Sequence, residues 1–247
     1  MRASRPVALL VGAGDAIGAA VARRFAAGGL QVCVARRDAG KAKALIDEVA
    51  ACGGKLQAFS VDARQEGAIQ DLFAKIEGEV GPIDVCLYNA GSNVNTPLLD
   101  TSESLFRKAW ELACYGGFLT GREAARYMVP RGRGTILFTG ATASVRGGPG
   151  FAAFASAKFG LRAVAQSMAR ELGPRNIHVA HLLIDGGVDS EAIRKRLRAR
   201  IGDAVESLPP NTLIRTEAVA EAYWTLYAQP AHGWTHELDL RTSIERW

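Results

Sequence analysis

The stretch Val11-Gly12-Ala13-Gly14-Asp15-Ala16-Ile17-Gly18 carries the clearest chemical signal in this 247-residue chain. It follows directly on the apolar run Val7–Val11 and leads into a helix-like segment, Ile17–Ala27. A strand that breaks into small residues and then a helix is the context in which a backbone receives the pyrophosphate of a dinucleotide. Gly12 permits the tight turn, and small side chains let the backbone close on phosphate oxygens. The start of the following helix offers unpaired N–H groups and a partial positive charge. Tight turns also need glycine for purely structural reasons; the position at the first strand-helix junction favours phosphate binding. Other chemistry is thinly represented. Cys33, Cys52, Cys86 and Cys114 lie far apart without a CxxC pair, and Cys33 and Cys86 sit in apolar runs. Free, buried thiols in a reducing compartment are expected. His178 and His181 flank a strand-like segment and read as structural, so no metal site is expected.

The elements that must position this turn alternate along the chain. Apolar strand candidates are Val7–Val11, 32–35, 56–61, Ile83–Tyr88, 135–139 and 179–184, and helical patterns cover Ile17–Ala27, 41–51 and 68–80. Continuous apolar runs mark strands covered on both faces. Strands separated by helices imply right-handed crossovers and a parallel sheet. The expectation is one α/β, doubly wound, Rossmann-type domain over residues 1–247, with about seven mainly parallel strands and helices on both faces. Residues 189–213, with a basic cluster and Pro209-Pro210, read as a mobile lid containing a helix.

Composition narrows the function classes. Apolar residues make up 48% and charged residues 22%, an ordinary globular balance that allows a full core. No apolar run approaches the roughly 18 residues of a membrane span. Residues 1–6 with Val7–Val11 are too short for a signal-peptide core, so a cytoplasmic location is expected. The net charge of +5 is dispersed. Its densest cluster, Arg194, Lys195, Arg196, Arg198 and Arg200, reads as a solvated helical face, and no nucleic-acid partner is expected.

In this order and spacing the motifs resemble those of the short-chain dehydrogenases/reductases, from Pro6 to about Leu240. Gly12 and Gly18 match the TGxxxGxG turn, with Val11 for its threonine and Ala16 for its middle glycine. Asp62 matches the acid at the adenine ring, and Asn89-Ala90-Gly91 the end of NNAG, with Tyr88 for the first asparagine. Lys158 matches the lysine of YxxxK, and Asp185-Gly186-Gly187-Val188 the PG turn, with Asp185 for proline. The resemblance implies a nicotinamide dinucleotide held by Gly12, Gly14, Asp15, Ala16, Ile17, Gly18, Asp62, Ala63, Asn89, Ala90, Gly91, Lys158, Gly186 and Val188. Arg36 stands where NAD-preferring relatives carry an acid, and Arg37 where NADP-preferring ones commonly carry arginine. Guanidinium suits a 2′-phosphate, so NADP is the expected cofactor, with NAD as the alternative. Asp15 opposes this, because it puts an acid near the adenosine phosphates.

The resemblance also locates the chemistry, and there the sequence departs from it. The family's proton-transferring tyrosine falls on Phe154, its carbonyl-orienting serine on Ala141 and its water-holding asparagine on Ala113; only Lys158 remains. Phenylalanine transfers no proton, and a positioned acid-base group is typically worth ~10²–10⁴ in rate. Ser156 points roughly 200° away from Phe154 on a helix. Tyr115 stands in the same relation to Ala113 and is expected to pack in a core or subunit interface. Tyr88 is expected to face the core. Thr142 and Ser144 lie beside the vacant serine position, but an ordinary hydroxyl is a poor acid. Two functions stay open: an oxidoreductase with a non-standard proton donor acting on an apolar small molecule, and a non-catalytic dinucleotide-binding sensor or partner subunit. By resemblance a homodimer or homotetramer is expected, through helices bearing Ala124, Ala125, Ala153, Ala157 and Gly160. Trp234, Leu238, Leu240 and Trp247 supply further apolar surface.

Overall fold

The computed structural model describes residues 5–245; Trp247 and the first four residues, read above as interface surface and as part of a non-signal leader, lie outside the described residues. The elements in chain order are β1 (Val7–Val11), α1 (Ile17–Ala27), β2 (Gln31–Arg36), α2 (Lys43–Ala51), β3 (Lys55–Ser60), α3 (Glu66–Glu79), β4 (Ile83–Tyr88) and α4 (Glu103–Trp110). They continue with α5 (Gly116–Arg131), β5 (Gly134–Thr139), α6 (Ala152–Leu172), β6 (Ile177–Asp185), α7 (Glu191–Ile201), α8 (Thr216–Tyr227) and β7 (Glu237–Arg241). The strands form one seven-stranded sheet in the order β3-β2-β1-β4-β5-β6-β7, parallel throughout. Chain direction through the sheet reverses between β1 and β4. Ligands of such sheets enter the crevice at the carboxyl ends of those two strands.

Side-chain alternation divides each central strand between two cores. On one face Ala8 and Leu10 pack with Phe25 of α1 and Tyr223 of α8. On the other Val7, Leu9 and Val11 pack with Phe73 of α3, Leu119 of α5 and Phe138 of β5. Both faces are therefore dry, which is why these strands read as unbroken apolar runs. No helix among the described residues is long and apolar enough to cross a membrane.

Several expectations are corrected here. β7 was not among the strand segments named above: its sequence Glu-Leu-Asp-Leu-Arg alternates, as suits a half-covered edge strand. Leu238 and Leu240 pack against the subunit's own core, and Trp234 stacks on His178 at 5.0 Å. These three residues are partly buried within the subunit. Ala124, Ala153 and Ala157 are likewise buried inside the subunit, and a methyl at Gly160 would lie 2.8 Å from Cys114 Sγ. The exposed large apolar side chains among the described residues are Leu98, Leu99, Phe106, Trp110, Val145, Phe159, Ile201 and Ile244; Phe159 lies on α6 itself and Ile244 in the tail. Residues 189–213 do carry a helix, α7. Its basic cluster is the expected solvated face, with no buried residue on the helix, and two of its arginines form surface ion pairs, Arg194 with Asp189 at 2.6 Å and Arg198 with Glu206. Cys33, Cys86 and Cys114 are buried thiols, whereas Cys52 is exposed.

Candidate active site

The turn after β1 is built tightly. Gly12 has φ +83°, and a Cβ there would lie 2.3 Å from Ala90 N. At Gly18 it would lie 2.5 Å from Ala13 Cα, so both positions exclude side chains on packing grounds. Gly14 is different, because a Cβ there would meet nothing within 4 Å. Its bare backbone lines a cavity of about 820 Å³, within the range of small-molecule sites. The residue before α1, Ala16, offers no side chain to cap the helix; Ala19 N bonds the Gly14 carbonyl at 3.0 Å, and the amides of Ile17 and Gly18 remain available. An open glycine cradle in front of an uncapped helix start fits a pyrophosphate.

The other wall comes from β4, β5 and α6. Asn89 accepts a hydrogen bond from Thr139 Oγ1 (2.9 Å) and donates through Nδ2 to the Gly12 carbonyl (3.1 Å), tying the ends of β1, β4 and β5 together. Thr139 also contacts the Tyr223 hydroxyl at 2.7 Å. Lys158 reaches the same floor from α6 and donates to the Thr139 carbonyl at 2.7 Å. Burial pulls its ammonium down to about 8. The Phe154 ring, one turn before it, stands 5.9 Å from Nζ and is nearly buried against Phe151, Ala143 and Ala155.

Gly12, Gly14, Asp15, Ala16, Ile17, Gly18, Asn89, Gly91, Lys158, Gly186 and Val188 thus all line one cavity. Arg36, Arg37, Asp62, Ala63 and Ala90 do not line it and stand at or near the carboxyl ends of β2, β3 and β4 beside it. Arg36 Nη1 is already paired with Asp15 Oδ1 at 2.7 Å. Asp62 is clamped by Arg64, whose guanidinium holds the carboxyl below its usual range with a smaller contribution from Arg37.

The hydroxyls considered as substitutes separate clearly. Tyr88 is buried and donates to the Leu112 carbonyl, with its phenol pushed up by burial. Tyr115 stacks between Trp110 (6.3 Å) and Phe118 (6.4 Å). Ser156 donates to the Ala153 carbonyl at 3.0 Å, on its own helix. Ser144 is fully buried, accepts from Ala141 N at 3.1 Å and touches His181 Nε2 at 3.4 Å. Thr142 alone among these lines the cavity, and its Oγ1 donates to Asp185 Oδ1 at 2.5 Å. Sequence reasoning saw Asp185 only as a replaced proline. An acid closing the apolar run Val179-Ala180-His181-Leu182-Leu183-Ile184 was itself the signal of a buried, partnered carboxylate. Arg146 lines the outer, apolar end with Phe151 and Phe154, a cation that sequence reasoning also passed over. Among the described residues no group of three His, Cys, Asp or Glu side chains is arranged to hold a metal.

The family model described as short chain dehydrogenase matches residues 6–200, and the chain belongs to that family. A short-chain dehydrogenase/reductase of Armillaria gallica is 33% identical over 176 residues, 70% of this chain and 67% of that protein. The crystal structure of a short-chain dehydrogenase from Rhodopseudomonas palustris is 47% identical, covers 96% of this chain and 98% of that one, and superposes with a TM-score of 0.81. A 7α-hydroxysteroid dehydrogenase complexed with NADH and 7-oxo glycochenodeoxycholic acid is 26% identical, covers 97% and 94%, and has a TM-score of 0.86.

Proposed function

We propose that the chain is an NADP(H)-dependent oxidoreductase acting on a small, largely apolar alcohol or carbonyl compound, with a proton path that does not use a tyrosine. One observation carries this reading: the open phosphate cradle at Gly14 and the buried ammonium of Lys158 line the same cavity. The turn at Gly12–Gly18 and the start of α1 would hold the pyrophosphate. Lys158, held near the floor by Thr139, would turn to the hydroxyls of the nicotinamide ribose. Gly186 and Val188 would close on the nicotinamide, and Asp62 with Ala63 would flank the adenine. Arg37, and Arg36 when released from Asp15, would receive a 2′-phosphate. NAD would bind more weakly in the same place. When bound, the cofactor supplies or accepts the hydride; Phe151 and Phe154 shape an apolar seat for the molecule that exchanges it. The nicotinamide-bound 7α-hydroxysteroid dehydrogenase supports the cofactor class.

Ala141 and Phe154 give the cavity no hydroxyl of the kind the family uses, and this favours a second reading, a dinucleotide-binding sensor or partner subunit without turnover. Fluorescence titration with NADPH, followed by cofactor oxidation and reduction with a panel of apolar alcohols and ketones, separates the two. Binding with turnover supports the oxidoreductase, binding without turnover supports the sensor, and no binding overturns both. Residues 189–213 would act as the lid over this site. The assembly would be a homodimer or homotetramer, with Phe106, Trp110 and Phe159 as the surface to cover.

A further inference from the structure

We infer that Thr142, backed by Asp185, is the proton-handling pair of this cavity, an assignment that rests on the oxidoreductase reading above. Thr142 follows Ala141 at the turn leaving β5 and lines the cavity together with Phe154 and Lys158. Its 2.5 Å hydrogen bond to Asp185 falls at the short end for a hydroxyl on a carboxylate. Asp185 is 5% exposed and ends β6. Its other oxygen lies 3.3 Å from Arg241 Nη2. Asp185 and Arg241 are register partners across the β6–β7 ladder, so both side chains project from the same face of the sheet. A carboxylate is kept at this depth only by such partners. Thr142 is the partner that also faces the ligand space.

Several other polar groups in the cavity are spoken for. The Asn89 amide is committed to Gly12 and Thr139, Ser190 accepts from the Ile193 amide at the start of α7, and Asp15 holds Arg36. Arg146 does not give up its proton. Glu191 lines the mouth from α7 on the solvent side, and is the remaining carboxylate to be tested against Asp185.

In the oxidative direction the step balances as follows. A secondary alcohol loses a hydride, with its electron pair, from the carbinol carbon to NADP⁺, and a proton from its oxygen to Thr142 Oγ1. Thr142 passes its own proton to Asp185 Oδ1. The alcohol leaves as a ketone, NADP⁺ becomes NADPH, and the released proton rests on Asp185 until solvent removes it. Ketone reduction is the same sequence reversed. Thr142 is the catalytic residue, and Asp185 acts through it.

The test uses the full chain with Thr142→Val, Thr142→Ser, Asp185→Asn and Glu191→Gln. Substrates are secondary alcohols from 2-propanol to 1-phenylethanol. A tertiary alcohol, 2-phenyl-2-propanol, serves as a ligand with no hydride to give. Thr142→Val should lower kcat by at least ~10², the usual worth of a positioned acid-base group, and Thr142→Ser should restore most of it. Asp185→Asn still accepts the Thr142 hydrogen bond but takes no proton. It should lower kcat to a similar extent with KM and the NADP⁺ dissociation constant unchanged, a split that a merely structural role would not give. Independently of turnover, calorimetry should show 2-phenyl-2-propanol binding the NADP⁺-loaded chain at least several-fold more weakly after Thr142→Val. Turnover and tertiary-alcohol binding that survive Thr142→Val overturn the assignment alone. Loss of turnover in Glu191→Gln with Asp185→Asn unaffected also overturns it, in favour of a base on the lid. An unmodified chain that binds NADP⁺ yet neither oxidises any of these alcohols nor binds the tertiary one overturns the oxidoreductase reading and this assignment together.

Discussion

Asp15 and Arg36 hold one another across the mouth of the phosphate turn, Oδ1 to Nη1 at 2.7 Å. The acid that argues against a 2′-phosphate therefore occupies one of the two guanidinium groups that argue for it. The unmodified chain should bind NADPH roughly tenfold more tightly than NADH, a difference of about 1.4 kcal/mol. Replacing Arg36 and Arg37 together by alanine should erase that preference and leave NADH unchanged. Asp15→Asn should do the opposite, releasing Arg36 and strengthening NADPH binding several-fold. Fluorescence titrations with both cofactors read all three. An Asp15→Asn chain with unaltered NADPH affinity would show that the pair does not govern selectivity.

Phe154 and Ala141 face the cavity without a hydroxyl between them. Phe154→Tyr combined with Ala141→Ser should raise NADPH-dependent reduction of simple ketones by ~10² or more over the unmodified chain. The Phe154 ring already stands 5.9 Å from Lys158 Nζ, which places the new phenol near a cation. Steady-state assays of both proteins decide it, and an unmodified chain as fast as the double variant would refute the expectation.

Lys158 titrates near neutrality because burial opposes its charge, pulling it down to about 8. Its hydrogen bonds to a ribose are strongest when it is protonated, so NADPH affinity should fall as pH rises from 7 to 9. Lys158→Ala should bind roughly tenfold more weakly at pH 7, the loss expected of one charge-assisted hydrogen bond, and should lack this dependence. A pH-independent Kd in the unmodified chain would argue that Lys158 does not touch the cofactor.

His181 is fully buried, and its imidazolium is suppressed to about 4, first by desolvation and then by the charge of Lys158. The folded pKa lies below the ordinary 6.5, so the unfolded chain binds the extra proton. Stability is complete above pH 6.5 and drains away as pH falls toward 4. By pH 5 the loss should be roughly 2 kcal/mol, several degrees in Tm. Buried His178 is shifted the same way and adds to it. Glu237, held at about 2 mainly by Arg162, contributes only at lower pH. Thermal melts at pH 7.5 and 5 test this, and His181→Asn should flatten the slope. Equal melting temperatures in the unmodified chain would contradict it.

Leu98 and Leu99 are 70% and 98% exposed, and Phe106, Trp110 and Phe159 share the outer surface of the subunit with them. Apolar surface of this kind is usually covered. Light scattering at micromolar concentration should give a dimer or tetramer, and Phe106→Arg should shift it toward monomer. A monomeric unmodified chain would end the proposal.

The fold was legible because buried parallel strands write themselves as unbroken apolar runs, and β1 and β4 were bounded to the residue. β7 was not, since an edge strand covered on one side alternates and its charged residues look like loop. The cradle was legible through glycine, whose meaning at Gly12 and Gly18 is steric and local. The Thr142–Asp185–Arg241 contacts join residues 43 and 56 positions apart through strand register, and register is a property of the sheet that no local spacing encodes. The same limit hid Asp15–Arg36, a pair bridging the first two strand ends. The small residues of α6 make a separate point: Ala153 and Ala157 are buried within the subunit, and smallness alone does not say which neighbour demands it.

The cross-ladder placement of Arg241 opposite Asp185 also orders the birth of the site. β7 is synthesised after the other six strands, and it docks on β6 at the end of the sheet. A nascent chain therefore has the glycine turn between β1 and α1 among its first elements to emerge from the ribosome, and its cavity walls follow from β4 onward. Until the seventh strand is laid down, Asp185 has no guanidinium opposite it and the threonine beside the cavity rests on an unbraced carboxylate. Maturation of such a chain should thus be vectorial, with the glycine turn made first, the cavity walls completed as β4 through α7 are added, and the Asp185–Arg241 pairing arriving only with β7.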